Sequence, residues 1–97
     1  MATGDIQMPE ARSFLISSTF DDLFDYGNGI FSLTTSAADT SRPAASNYWM
    51  VLQFKMYASG GWWGAQFTVN TSTSLIYYMR KHRGANGWTE WKSLTFS

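Results

Sequence analysis

Aromatic residues are the side chains of this sequence best suited to hold a ligand. Trp62 and Trp63 follow Ser59-Gly60-Gly61, a predicted turn, and Tyr57 lies just before it. Adjacent residues on a strand point to opposite faces, so we expect at least one of the two indoles to be exposed. An exposed indole beside a rigid sheet is a reasonable ligand contact, and packing across a subunit boundary is an equally good interpretation. Trp62, Trp63 and Tyr57 are therefore the first candidate binding surface.

A basic run, Arg80-Lys81-His82-Arg83, is the second feature that could meet a ligand. If the run continues a strand, Arg80 and His82 share one face and Lys81 points to the other. Such cations could contact phosphate or acidic sugars, which makes His82 and Arg83 candidate ligand contacts. We favour the alternative of a solvated strand end whose charges discourage pairing with another edge.

Catalytic and metal chemistry find little support in the sequence. Asp21, Asp22 and Asp25 lack the alternating spacing of a calcium loop and coincide with a predicted helix start, where acids are favourable. His82 is the sole histidine and cysteine is absent, so neither a two-histidine site nor a thiolate site can form within one subunit. A glycosidase using Glu10, Glu90 and these aspartates would need a large groove. We expect no enzyme activity, metal or cofactor.

The elements that must position these residues are mainly strands. Ser18-Thr19 offers an N-cap, and the i, i+3, i+4 spacing of Phe20, Leu23 and Phe24 predicts one helical turn over 20–25. Apolar patterning with period two predicts strands at 29–35, 48–57, 63–70, 74–82 and 91–96. A short apolar run at 13–17 has possible strand character. The fold class is therefore mainly β, a small antiparallel sheet or sandwich with one short helical turn near the N-terminus.

The predicted strand from Tyr48 to Tyr57 is apolar on both faces. Met50, Leu52, Phe54 and Met56 alternate with Trp49, Val51 and Tyr57, with only Gln53 and Lys55 between. Such a strand must be covered on both sides. The second cover is either the helical turn at 20–25 or a neighbouring subunit, and the lack of disulfides favours extra burial from a partner.

Length and charge narrow the class further. The 97 residues fit one domain, divided here into a lead-in at 1–17 and a β domain at 18–97. Formal net charge is zero, without the broad basic field that binds nucleic acid. No stretch approaches the roughly 20 apolar residues of a membrane span, and the start does not resemble a signal peptide. We expect neither nucleic-acid binding nor membrane insertion.

The order of motifs resembles the knob domain of R-type pyocin and bacteriophage tail fibres. The match spans roughly three quarters of the chain. Its features are Asp22-Leu23, Gly29-Ile30-Phe31-Ser32-Leu33, the loop from Ala37 to Ala45, Gln66, Tyr78-Met79-Arg80 and Trp88 to Lys92. The motif residues Gln66, Tyr78, Arg80, Trp88, Trp91 and Lys92 are expected to be structural. Trp88 and Trp91 could also form a sugar-stacking platform, but we favour packing around Arg80, with Arg80 stacked on or near an indole.

The resemblance implies a homotrimeric, non-enzymatic domain at a fibre tip, which attaches to a polysaccharide or lipopolysaccharide of a bacterial surface. It implies a component of a virion or tailocin, made in the bacterial cytoplasm without a signal peptide. The alternative is a purely structural spacer or trimerisation element within a longer fibre. Its signature would be burial of Trp62, Trp63 and Tyr57 at subunit contacts. Part of a polysaccharide depolymerase is a third and weaker alternative.

Overall fold

The computed structural model describes residues 13–70 and 76–95, which form one sheet and one short helix. In chain order the elements are β1 (Ser13–Ser17), α1 (Phe20–Leu23), a 3-10 turn (Phe24–Tyr26), β2 (Gly29–Thr34), β3 (Tyr48–Ala58), β4 (Gly61–Asn70), β5 (Ile76–Arg83), a second 3-10 turn (Gly84–Asn86) and β6 (Lys92–Thr95). Strands make up 56% of the described residues, which confirms the mainly β class. Residues 1–12 of the predicted lead-in at 1–17, and parts of the last two predicted strands, lie outside the described residues.

The six strands lie side by side in sequence order. All neighbours are antiparallel except β1 and β2, which are parallel, so the predicted antiparallel sheet is a single mixed one. The reason is the connection through α1, which crosses one face of the sheet and returns the chain in the same direction. Within the described residues, no helix is long and apolar enough to span a membrane.

The helix side of the sheet, called here the core face, contains the hydrophobic core. Phe20 and Leu23 of α1 are fully buried against strand residues of β2 and β3. The strand members of this cluster are Phe31, Leu33, Trp49 and Val51. They occupy alternate positions, as a one-sided sheet requires. The helical turn predicted from Phe20, Leu23 and Phe24 is therefore the cover of the core face.

The opposite side of the sheet, called here the open face, has no cover in the described part of the chain. Its large apolar side chains are exposed, and they are Leu15, Ile30, Tyr48, Met50, Leu52, Phe54, Met56, Trp63, Phe67, Tyr77, Met79 and Leu94. Phe54 remains 51% and Leu52 38% exposed. The two apolar sets of β3 thus lie on opposite faces, as alternation predicts; the helix covers one face, and a cover for the other stays a prediction.

Local hydrogen bonds fix the start of α1. Thr19 is the N-cap, and its side chain accepts from Asp22 N. Asp39, which is buried, accepts from Phe20 N at 3.1 Å and from Thr35 Oγ1 at 2.7 Å. Its other oxygen accepts from Ser41 N at 2.8 Å and from the Ser41 hydroxyl. Asp39 therefore ties the loop between β2 and β3 to the first turn of the helix.

The charge of Asp39 is stabilised by these donors. Burial alone would raise the pKa of this carboxyl, but hydrogen bonds from Ser41, Thr35 and Phe20 outweigh burial and hold the pKa below its ordinary value of 3.8. A carboxyl whose pKa is lower in the folded state contributes stability above its unfolded pKa. That stability is lost as the pH falls through the folded pKa.

We expect Asp39→Asn to lower the free energy of unfolding at pH 7 by about 1–3 kcal/mol, because an amide accepts the four donors less well than a carboxylate. The gap between wild type and variant should narrow as the pH falls below about 3.8. Urea unfolding between pH 7 and pH 3 measures both effects. Asp25→Asn, which changes an exposed carboxylate, is the control at pH 7. A gap that stays constant down to pH 3 contradicts the role assigned to the charge.

Candidate functional site

A row of three buried polar side chains crosses the core face. Gln53, Gln66 and Arg80 lie directly opposite one another on β3, β4 and β5. Gln66 Nε2 donates to Gln53 Oε1 at 2.7 Å, and Arg80 Nε donates to Gln66 Oε1 at 2.9 Å. Both glutamines are completely buried. These residues, called here the polar ladder, link three strands through side chains as well as through the backbone.

The polar ladder also holds the helical segment. A short helix leaves its carbonyl groups without partners inside the helix. Gln53 Nε2 donates to the carbonyls of Leu23 at 2.8 Å and Gly27 at 2.7 Å, and Gln66 Nε2 donates to the carbonyl of Phe20 at 2.8 Å. The glutamines thus satisfy carbonyls that would otherwise be buried without a donor.

Arg80 ends the ladder between two indoles. Its guanidinium carbon lies 3.9 Å from the ring centroid of Trp88 and 4.6 Å from that of Trp91. Nη2 lies 3.0 Å from Asp21 Oδ1, an ion pair by distance, although Nη2 makes no well-aligned hydrogen bond within the described residues. Burial lowers the pKa of Arg80, and the Asp21 carboxylate opposes that effect. The predicted stacking of Arg80 on an indole is present.

Trp91 has a second contact that explains its position. Its Nε1 donates to the carbonyl of Ser41 at 2.8 Å, and its ring packs edge-on against Phe20. Trp88 packs edge-on against Phe24. Both indoles therefore close the core face over Arg80, which is the interpretation favoured from the sequence. Tyr78, another motif residue, packs edge-on against Trp49 at the border of the core.

Tyr57, Trp62 and Lys55 form a partly exposed group at the end of the β3–β4 hairpin, called here the aromatic corner. Tyr57 and Trp62 lie opposite each other with ring centroids 5.1 Å apart and nearly perpendicular rings. Lys55 Nζ lies 4.6 Å from the Trp62 centroid and donates to the carbonyl of Phe24 at 2.8 Å. Trp62 stays 47% and Tyr57 60% exposed. An ordered indole with free surface is able to stack on a sugar ring.

His82 supports the aromatic corner from beneath. Its Nδ1 lies 2.8 Å from the carbonyl oxygen of Trp62, which can only accept, so this nitrogen carries the proton. Its ring stacks on Phe24 with centroids 4.7 Å apart and meets the edge of Trp88 at 4.9 Å. Gly64 makes room for Phe24, because a Cβ there would lie 2.9 Å from that ring and 2.1 Å from the Phe54 carbonyl oxygen. His82 therefore positions Trp62 through its backbone.

Trp63 lies on the other side of the sheet. It is opposite Met56 and Arg83 on the open face, where it is 39% exposed. Its Nε1 donates to the carbonyl of Ala58 at 3.0 Å, and Gly84 lies against the ring. The five candidate ligand residues therefore do not form one surface. Tyr57, Trp62 and His82 lie on the core face, whereas Trp63 and Arg83 lie on the open face.

The candidate acids have separate places. Asp21 pairs with Arg80, Asp22 and Asp25 are exposed on the helical segment, and Glu90 is exposed between β5 and β6. Glu10 lies outside the described residues. No group of three or more His, Asp or Glu side chains able to hold a metal ion occurs within 13–70 and 76–95.

Sequence reasoning missed Gln53, Asp39 and Lys55. Gln53 and Lys55 were recognised only as polar interruptions of an apolar strand, and Asp39 lay in a loop without periodicity. The available signal was the alternation, which places Gln53 on the same face as Trp49 and Val51 and hence inside the core. A glutamine at such a position requires hydrogen-bond partners.

No protein-family model, curated protein or solved structure matches this chain. The resemblance to fibre knobs therefore remains a prediction from the motifs.

We expect Gln66→Leu to lower the free energy of unfolding by about 2–4 kcal/mol, because it leaves Arg80 Nε, the Phe20 carbonyl and Gln53 Oε1 without partners. Urea unfolding followed by tryptophan fluorescence measures the loss. Thr68→Val is the matched control on the same face of β4. It removes one hydrogen bond, to the Met50 carbonyl, and should cost about 1 kcal/mol. Equal losses in the two variants would refute the central role of the ladder.

Proposed function

We propose that the chain is a non-enzymatic attachment domain of a bacteriophage or tailocin tail fibre, a homotrimer that binds a bacterial surface glycan. The resemblance of the motifs to fibre knob domains supports the assignment to a tail fibre. The observation that carries the proposal is the separation of two aromatic surfaces: the open face on one side of the sheet and the aromatic corner on the other. One can be covered by neighbouring copies while the other remains available to a ligand.

The open face has the character of a subunit contact. Ile30, Leu52, Phe67 and Met79 lie directly opposite one another on four consecutive strands and form an unbroken apolar row. Large contiguous apolar patches are uncommon on soluble monomers and mark sites of association. A chain of 97 residues without cysteine gains most from burial supplied by a partner.

The aromatic corner supplies a contact surface for the glycan. Trp62 is ordered by Tyr57, Lys55 and His82, so little conformational entropy is lost when a sugar stacks on its indole. Binding by one such site is weak, and three copies in a trimer raise the effective concentration for the second and third contacts. Attachment then depends on avidity and requires no turnover.

A structural spacer is the second candidate, and the open face favours it equally well. The two proposals differ in the aromatic corner. A spacer requires Tyr57 and Trp62 to be buried between subunits, whereas association through the open face alone leaves them accessible. Adsorption of the Trp62 variant therefore separates the two.

The mass in solution should be close to three chains, and Phe54→Asp should reduce it to one, because an unpaired carboxylate cannot enter an apolar contact without a large cost. Light scattering at several concentrations measures the mass, and circular dichroism checks the fold. Ala45→Asp, the same charge on an exposed loop residue, should leave the mass unchanged. A monomeric wild type, or a Phe54→Asp variant that keeps the wild-type mass, would show that the open face is not the contact.

Trp62→Ala should lower the affinity of each site for the host surface by about tenfold, because it removes the stacking surface, while the mass stays that of wild type. Adsorption of the purified protein to host cells measures the loss. Tyr26→Ala is the aromatic control, since Tyr26 is exposed but packs on Phe31 of β2. Unchanged adsorption by a folded, trimeric Trp62→Ala protein would exclude the aromatic corner and favour the spacer.

A further inference from the structure

Three rows of the open face end in a cation at the same edge of the sheet. Met56, Trp63 and Arg83 lie opposite one another on β3, β4 and β5. Phe54, Ala65 and Lys81 do the same one position pair further along the sheet. Leu52, Phe67 and Met79 lead to Lys92 on β6. Lys81, Arg83 and Lys92 are called here the basic edge. The open face is therefore apolar in its centre and positively charged along one side.

The basic edge differs from the other cations of the described chain. Arg80 is paired with Asp21, Arg42 donates to Ser46 and Asn47, and Lys55 donates to Phe24. By contrast, Lys81, Arg83 and Lys92 are exposed, and their side chains form no ion pair or hydrogen bond with any residue in 13–70 or 76–95. Like charges on neighbouring strands repel each other. An anion between them would remove that repulsion.

A groove of about 460 Å³ lies beside the basic edge. Its lining includes the basic edge and a fourth cation, Arg80, together with Met79, Trp88, Thr89 and Glu90. The volume falls within the roughly 300–1,000 Å³ of small-ligand sites. Thr89 is fixed to β5, because its hydroxyl accepts from Lys81 N at 2.9 Å and its own N–H donates to the Lys81 carbonyl at 2.8 Å. The Thr89 hydroxyl keeps its hydrogen for a ligand.

We infer that this groove binds the carboxylate or phosphate group of an acidic surface saccharide, with the basic edge holding the charge. This inference rests on the proposed function and specifies the glycan as anionic. Lysine and arginine provide charge-assisted donors for such groups, while Thr89, Trp88 and Glu90 suit the hydroxyls and the apolar face of a sugar. A nucleic acid fits less well, since net charge is zero and the cations form one short cluster rather than a stripe.

The groove remains accessible in the proposed trimer. Charged residues are depleted from interface cores and occupy the rim, because burying an unpaired cation is costly. The apolar rows of β2, β3 and β4 therefore form the centre of the contact, Met79 of β5 lies at its rim, and the contact ends where the basic edge begins. In each subunit, β5 then carries His82 beneath the aromatic corner on the core face. It carries Lys81 and Arg83 beside the groove on the open face.

The inference is tested with three probes of the same length: an oligogalacturonate, a glycerol phosphate oligomer and a neutral maltodextrin. Titration calorimetry of the full chain at low and moderate salt should show that either anionic probe binds at least tenfold tighter than the neutral one. The triple variant Lys81→Gln, Arg83→Gln, Lys92→Gln should lose about two- to fivefold per residue, typical of exposed charge contacts. Glu90→Gln should bind the anionic probes more tightly. The tighter anionic probe identifies the group recognised.

The control is Asp22→Asn with Asp25→Asn, which raises net charge on the helix side and should leave affinity unchanged. The inference is overturned by equal binding of neutral and anionic probes, by wild-type affinity of the triple variant, or by an equal gain in the aspartate control. A DNA duplex that binds more tightly than either anionic probe overturns the inference as well. Trp62→Ala should weaken binding of the neutral and the anionic probes alike, whereas the triple variant should weaken binding of the anionic probes only, so failure of the aromatic corner and failure of the groove are distinguishable.

Discussion

The rest of the structure depends on the hydrogen bonds between the polar ladder and the helical segment. A helix as short as α1 satisfies few of its own carbonyl groups: the Phe24 N–H reaches those of Asp21 and Asp22, and apolar strand residues offer no donor to the others. Long amide side chains at the centre of a sheet do. Gln53 and Gln66 reach Leu23, Gly27 and Phe20, and in return the helix brings Phe20 and Leu23 onto the sheet. Without the ladder, burial of the helix would leave several carbonyls without donors, at a cost of about 1–3 kcal/mol each.

The ladder also divides the core face into two regions with different properties. On one side lies the hydrophobic core, built around Trp49, Phe31 and Leu33. On the other lie Phe24, His82 and the aromatic corner, where rings, a lysine and backbone carbonyls share contacts. The charge of Arg80 at the end of the ladder requires cover, and Trp88 and Trp91 supply it. Of the five indoles, Trp62 and Trp63 alone remain substantially exposed, one on each face.

Much of this fold can be predicted from the sequence, because the spacing of apolar residues within each helix or strand is a local signal. The helical turn at Phe20, the strands from β2 to β6 and the two apolar faces of β3 all follow from spacing. Pairing between distant strands does not. The parallel placement of β1 depends on how α1 crosses the sheet, and the partners of Gln53 depend on register. The proposed grouping of Tyr57, Trp62 and Trp63 was wrong for a related reason. Alternation already placed the two indoles apart, but only the pairing shows that Tyr57 accompanies Trp62.

Alternation along β5 gives the residues of the basic run two different roles, one on each face of the sheet. Arg80 and His82 point to the core face, where Asp21, the indoles and the Trp62 carbonyl satisfy them. Lys81 and Arg83 point to the open face, where no described residue does. A register slip by one residue would exchange the two pairs and place unpaired cations beneath the helix, so this run opposes wrong pairing of β5. The same constraint explains why Lys81 and Arg83 are the pair most accessible to a ligand: Arg80 is held by Asp21, Gln66 and two indoles, and His82 by the Trp62 carbonyl and the Phe24 ring.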